Sequence, residues 1–208
     1  MDHPAARSEM IATQLVRRGI RSPAVLSAMQ AVPRHLFIPE QNRDLAYRDG
    51  PVAIGEGQTI SQPYIVALMS EVLQVSPGMK VLEVGTGSGY QAAVLSALGA
   101  RVHSIEIRPG LSAVAAETLQ KVGAGDSTLH IGNGAEGMPD LAPFDRIIVT
   151  AAPADVPPAL TAQLRLGGCM LIPTGAREQQ TLLKIKRTPA GLETTPMIPV
   201  LFVPMTPA

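Results

Sequence analysis

Lys80-Val81-Leu82-Glu83-Val84-Gly85-Thr86-Gly87-Ser88-Gly89-Tyr90-Gln91 is the stretch that decides the fold of this chain. It opens as a short apolar run with β-branched residues, the pattern of a parallel strand buried on both faces. Three glycines at alternate positions follow, and a helix is predicted over Gln91–Leu98. Strand, glycine loop and helix in that order form the first unit of a nucleotide-binding α/β sheet. Glycine lets bare backbone approach a ligand, because no Cβ intervenes. Gly-x-Gly also marks ordinary tight turns, so its neighbours decide its meaning. A dinucleotide fingerprint wants a small residue where Tyr90 stands. The spacing is instead acidic-x-Gly-x-Gly-x-Gly, beginning at Glu83. Roughly 20 residues on, Glu106 closes the strand-like run Arg101–Ile105, where an acid can accept hydrogen bonds from ribose hydroxyls. A solvated acid at a strand end is the competing reading.

The flanking elements extend the pattern. Strands are predicted at Lys80–Val84, Arg101–Glu106, Thr128–Ile131 and Asp145–Thr150, with helices at Gln91–Leu98, Leu111–Val122 and Ala154–Gln163. Such alternation gives a doubly wound, mostly parallel α/β sheet. Gly168–Pro173, Thr181–Arg187 and Val200–Val203 read as strands separated by turns, an antiparallel C-terminal edge. Upstream, helices are predicted at Arg7–Arg18 and Ala24–Met29, the second after a Ser22 cap and Pro23. Val32–Pro39 reads as extended and Tyr47–Val52 as loop. The expected organisation is one domain over 1–208: a helical N-terminal extension, 1–54, and a cofactor-binding core with C-terminal strands, 55–208. Ligands in such sheets bind beyond the carboxyl ends of the strands. The candidates there are the Gly85 loop, Glu106, Gly132-Asn133-Gly134 and Thr150-Ala151-Ala152-Pro153.

Composition narrows the class. The chain has 208 residues, 46% of them hydrophobic and 16% charged, enough for a substantial core. Lys plus Arg and Asp plus Glu number 17 each, and no basic run stands out, which disfavours nucleic acid as a partner. No apolar run reaches membrane-spanning length, so no membrane partner is expected. Met1-Asp2-His3-Pro4 lacks a basic start before an apolar stretch, and Cys169 is the single cysteine. Both point to a cytoplasmic protein without disulfides. Cys169 lies in an apolar run and reads as a small core residue. Oligomeric state leaves no mark in the sequence.

Several stretches carry a resemblance. Glu83 to Gln91 is similar to the cofactor loop of S-adenosylmethionine-dependent methyltransferases. Val32-Pro33-Arg34-His35, Gly57-Gln58-Thr59-Ile60-Ser61-Gln62-Pro63-Tyr64, Ala142-Pro143-Phe144-Asp145, Val149-Thr150-Ala151-Ala152-Pro153 and Phe202-Val203-Pro204 resemble the protein-L-isoaspartate O-methyltransferases, across roughly Arg7 to Pro204. The resemblance implies S-adenosyl-L-methionine as cofactor and damaged proteins or peptides bearing isoaspartyl residues as partners. It also implies a reaction: methylation of the free isoaspartyl carboxylate, collapse to a succinimide, and partial reopening to aspartyl. It puts the active-site serine at Ser61 and cofactor contacts at Thr59, Ile60, Gly85, Gly87, Glu106, Asn133, Gly134 and Gln180. The family commonly has Gly-Asp-Gly where this chain has Gly132-Asn133-Gly134, which puts cofactor affinity in question; an Asn-Gly turn is the plainer reading.

The chemistry asks little of the chain. A carboxylate with a reference pKa of about 4 is ionised at neutral pH, so no general base is required. His3, His35, His103 and His130 are scattered, and no metal-ligand spacing occurs. What is required is alignment of oxygen, methyl carbon and sulfur, which contributes roughly 7–11 kcal/mol. The Ser61 hydroxyl could hold one carboxylate oxygen and aim the other, without itself becoming a nucleophile. A class I methyltransferase acting on a small-molecule carboxylate is the alternative. A nicotinamide-dependent dehydrogenase and a non-catalytic binding module are weaker ones, opposed by Tyr90 and supported only by Asn133, respectively.

Overall fold

The computed structural model describes residues 2–176 and 178–205. Its centre is a seven-stranded sheet in the order β5-β4-β3-β6-β7-β8-β9. Here β3 is Lys80–Val84, β4 Arg101–Glu106, β5 Thr128–Ile131, β6 Phe144–Val149, β7 Leu164–Ala176, β8 Gln179–Thr188 and β9 Gly191–Val200. The first five in that order run parallel, and β8 and β9 are antiparallel additions. The chain moves outward from β3 to β5 on one side, then returns to β6 on the other. That reversal opens a crevice beyond the carboxyl ends of β3 and β6.

Alternation along the strands builds a core on each face. Val81, Val102, Ile148 and Leu171 join one cluster, with residues of α3 (Pro63–Leu73), α4 (Tyr90–Ala97) and α5 (Pro109–Lys121). Their sequence neighbours Leu82, Ile147 and Met170 join Ile105 in the other, with Leu160 of α6 (Pro158–Ala162). The N-terminal α1 (His3–Met10) and α2 (Pro23–Ala31) feed Met10, Val25 and Met29 into the first cluster. Arg34 is fully buried there; its Nε donates to the Ala46 carbonyl at 2.7 Å and its guanidinium lies 4.9 Å from the Tyr90 ring centroid. Burial lowers its pKa to about 10, leaving it charged at neutral pH. The extension thereby buttresses the residue that opens α4.

Four expectations are corrected. Helix α1 starts at His3, capped by Asp2 Oδ1, and the run to Arg18 changes to a π turn over Ile11–Leu15 and a 3₁₀ turn over Val16–Arg18. Val32–Pro39 is not wholly extended, since Arg34–Phe37 forms a 3₁₀ turn. The helix expected over Ala154–Gln163 shrinks to α6, because Pro157 and Pro158 delay its start. The last strand is β9, not Val200–Val203. Pro196 and Pro199 hid it, yet an edge strand tolerates proline on its unpaired side. Residues 52–60, whose strands were not foreseen, form a hairpin of β1 (Val52–Gly55) and β2 (Gln58–Ile60). Gly55 and Gly57 have positive φ, and so does Glu56 between them.

Candidate active site

The glycine loop leaves β3 at its carboxyl end and is tightly held. Thr150 Oγ1, at the end of β6, donates toward the carbonyls of Val84 and Gly85 at 3.1 and 2.7 Å. Gly85 has φ +94°, and a Cβ there would lie 2.6 Å from that hydroxyl, so no other residue fits without displacement. Glu106 reaches back from β4 and accepts from the amides of Gly87 at 2.9 Å and Arg108 at 3.1 Å. The acid is thus part of the loop's scaffold and also lines the cleft above it.

That cleft is lined by Thr59, Ile60, Ser61, Gly85, Gly87, Glu106 and Gly134, among others. A second hollow adjoins it. Thr59, Ser61, Thr150 and Val203 line both, so Ser61 stands where the two spaces meet. The β1–β2 hairpin brings Thr59 and Ile60 over the cleft, and Ser61 occupies the two-residue link to α3. Ser61 does not cap α3; the capping position is Gln62, whose side chain makes no cap hydrogen bond. Gln62 Nε2 instead donates to Asp49 Oδ1 at 2.7 Å on the rim of the hollow.

Two residues expected as contacts are not among those lining the cleft. Gln180 does not line the cleft; its amide is bonded on both sides to the Phe202 backbone, at 3.0 and 2.6 Å. It fixes the segment that brings Val203, Pro204 and Met205 to the cleft wall. Asn133 is also outside the lining; its Oδ1 accepts from the Ala135 amide at 3.0 Å and its Nδ2 donates to Glu136 at 2.9 Å. Its neighbour Gly134 is the lining residue.

Glu83 lines the cleft as well, beyond the expected set. It is fully buried. Its Oε2 accepts from Ser104 Oγ at 2.6 Å, while Oε1 has no partner. Burial, with Glu106 nearby, pushes its pKa up to about 8 against the smaller opposing effect of Ser104. An acid inside an otherwise apolar strand was the signal in the sequence. Among the described residues, no group of three or more metal-ligating side chains occurs.

A parallel sheet with antiparallel edge strands, a glycine loop at its reversal point and an acid on the next strand define an α/β methyltransferase of class I. The comparisons with known proteins narrow this. The family model described as protein-L-isoaspartate(D-aspartate) O-methyltransferase matches residues 5–208, and the chain belongs to that family. It is 50% identical over 205 residues to the protein-L-isoaspartate O-methyltransferase of Roseiflexus castenholzii, covering 99% of this chain and 94% of that one. A crystal structure of a protein so described from Plasmodium falciparum, in complex with S-adenosyl-L-homocysteine, is 25% identical, with a TM-score of 0.86 and 99% of each chain covered. A further structure of a protein-L-isoaspartate O-methyltransferase gives a TM-score of 0.87 at 27% identity, covering 95% of this chain and 65% of that one.

Proposed function

We propose that this chain transfers the methyl group of S-adenosyl-L-methionine to the free carboxylate of L-isoaspartyl residues in damaged proteins and peptides, the step that starts repair through a succinimide. The observation that carries the proposal is the position of Ser61 on the shared wall of the cleft and the adjoining hollow. A carboxylate entering the hollow and a cofactor in the cleft would meet at that hydroxyl. Bound there, the cofactor supplies an electrophilic methyl on a sulfonium sulfur. The cleft suits such a group: half-buried loop backbone at Gly85 and Gly87 lines it, and behind that loop lies the partnerless buried oxygen Glu83 Oε1. In this reading Thr59, Ile60, Gly85, Gly87, Glu106 and Gly134 hold the cofactor. Gln180 acts through the Phe202 segment, and Asn133 acts through the turn that presents Gly134.

Ser61 donates a hydrogen bond to one carboxylate oxygen and leaves the other free to attack. The substrate is already ionised, so the enzyme's residues align and desolvate it and need move no proton. The chain is read as one methyltransferase domain, supported by the core cluster that joins Met10 to Phe202. A cytoplasmic location is part of the same proposal. No helix among the described residues is long and apolar enough to cross a membrane, and Cys169 is free and buried. The test sets an isoaspartyl peptide against free small carboxylic acids, with methyl-labelled S-adenosyl-L-methionine. Label on the peptide supports the proposal; label on the small acids alone moves the chain to the small-molecule alternative.

A further inference from the structure

Asn42 and Asn133 are the chain's two asparagines, and only Asn133 precedes a glycine. From the setting of that pair we infer that Asn133-Gly134 is a spontaneous deamidation site at the rim of the cofactor cleft, and that the isoaspartyl form of this chain is a substrate for an intact copy of it. The second half rests on the activity proposed above; the first half stands without it.

The chemistry is internal. The Gly134 nitrogen attacks the Asn133 side-chain carbonyl carbon. The new C–N bond forms, the C–NH₂ bond breaks, and ammonia departs with the proton lost by the attacking amide. Water then opens the five-membered succinimide at either carbonyl, giving aspartyl or isoaspartyl at position 133. Glycine favours attack because it neither shields the nitrogen nor restricts its backbone.

The surroundings leave this route open. The Gly134 amide donates to no acceptor among the described residues. The Asn133 side chain is drawn forward over the turn that follows, by its bonds to the Ala135 amide and Glu136. It is half-buried, so water reaches it. Nor can the fold block the reaction with a bulkier residue at 134, because a Cβ there would collide with Val84 Cγ1.

The same lack of clearance gives the damage a consequence. An isoaspartyl link runs the main chain through the side-chain carbons and lengthens it by one atom before Gly134. Gly134 lines the cleft against Val84, so the altered copy loses cofactor binding and depends on another copy for repair. Methylation of the freed carboxylate makes methanol the leaving group, and the Gly134 nitrogen closes the succinimide again. Repeated rounds end with an ordinary aspartyl residue at this position and never restore the original amide.

The test ages the full-length protein at mildly alkaline pH beside its Asn133→Gln variant. Peptide mapping, cofactor-induced thermal shift and labelling by fresh enzyme with methyl-labelled cofactor are then read. The expected result is isoaspartyl at position 133, thermal shift lost in proportion, and label mapping to position 133 in aged wild type but not in aged Asn133→Gln; label at Asp49-Gly50, which cyclises by the same route, is common to both. Intact Asn133 after the interval in which the free peptide 129–136 deamidates would overturn the site. Isoaspartyl at that position that fresh enzyme leaves unlabelled, while labelling a standard isoaspartyl peptide, overturns the self-substrate half. Failure on the standard peptide too withdraws the proposed activity and the self-substrate half with it, while the mapping result decides deamidation alone.

Discussion

Ser61 illustrates how little the chemistry demands of one side chain. It accepts no proton and forms no covalent bond in the proposed reaction; its hydroxyl aims a charged oxygen. Removing one such donor from comparable sites costs roughly 10²-fold in kcat. Ser61→Ala should therefore lower methyl transfer by about that factor, with S-adenosyl-L-homocysteine affinity nearly unchanged by calorimetry. A parallel loss of affinity would make Ser61 a cofactor contact instead. The stretch Gly57–Pro63 made this residue legible. Asn133 was legible from its place at a strand end as well as from the resemblance, Gln180 only from the resemblance. Their side chains are engaged by Ala135, Glu136 and Phe202, and such pairings form only when the chain folds. Glu83 was visible as the first acid of the glycine loop, but its burial beside Ser104 was not.

At the level of elements, the β1–β2 hairpin governs the cleft. Its tip residue Glu56 lies 3.7 Å from Arg108 and turns its other oxygen toward Gly110 in the first turn of α5. A carboxylate there gains from the helix dipole and loses that gain in salt. Glu56→Gln should weaken cofactor binding by about two- to fivefold at low ionic strength, with the difference shrinking in high salt; equal affinity at low salt would show the hairpin closed without this contact. The parallel strands were legible because apolar β-branched runs bounded by glycine admit few other readings. The hairpin was not: its strands are only four and three residues long. Strand β9 was missed because prolines interrupt it and no second face buries it.

Across the whole molecule, titration links the site to stability. Glu83 has its pKa raised from 4.5 to about 8, so the folded state holds a proton that the unfolded chain releases. Its contribution is lost progressively as pH rises from 4.5 to 8. His35 runs the other way. Burial, then His3 and Arg7, lower its pKa from 6.5 to about 4, so its contribution is present above 6.5 and lost as pH falls toward 4. His103 and His130 are lowered too and steepen that acid limb. Stability should peak near about pH 6.5 and decline toward about pH 8, and Glu83→Gln should flatten the decline. Thermal unfolding of the cofactor-free protein across this range checks it; an unchanged slope in the variant would assign the decline to other groups.

The two hollows joined at Ser61 make isoaspartyl selectivity the most direct measurement. Two peptides of identical sequence, one isoaspartyl and one aspartyl, are incubated with methyl-labelled S-adenosyl-L-methionine and the products separated by mass spectrometry. The expected result is a methyl ester on the isoaspartyl peptide alone, passing on standing to a succinimide with loss of methanol. Equal labelling of both peptides, or labelling of neither, would contradict it.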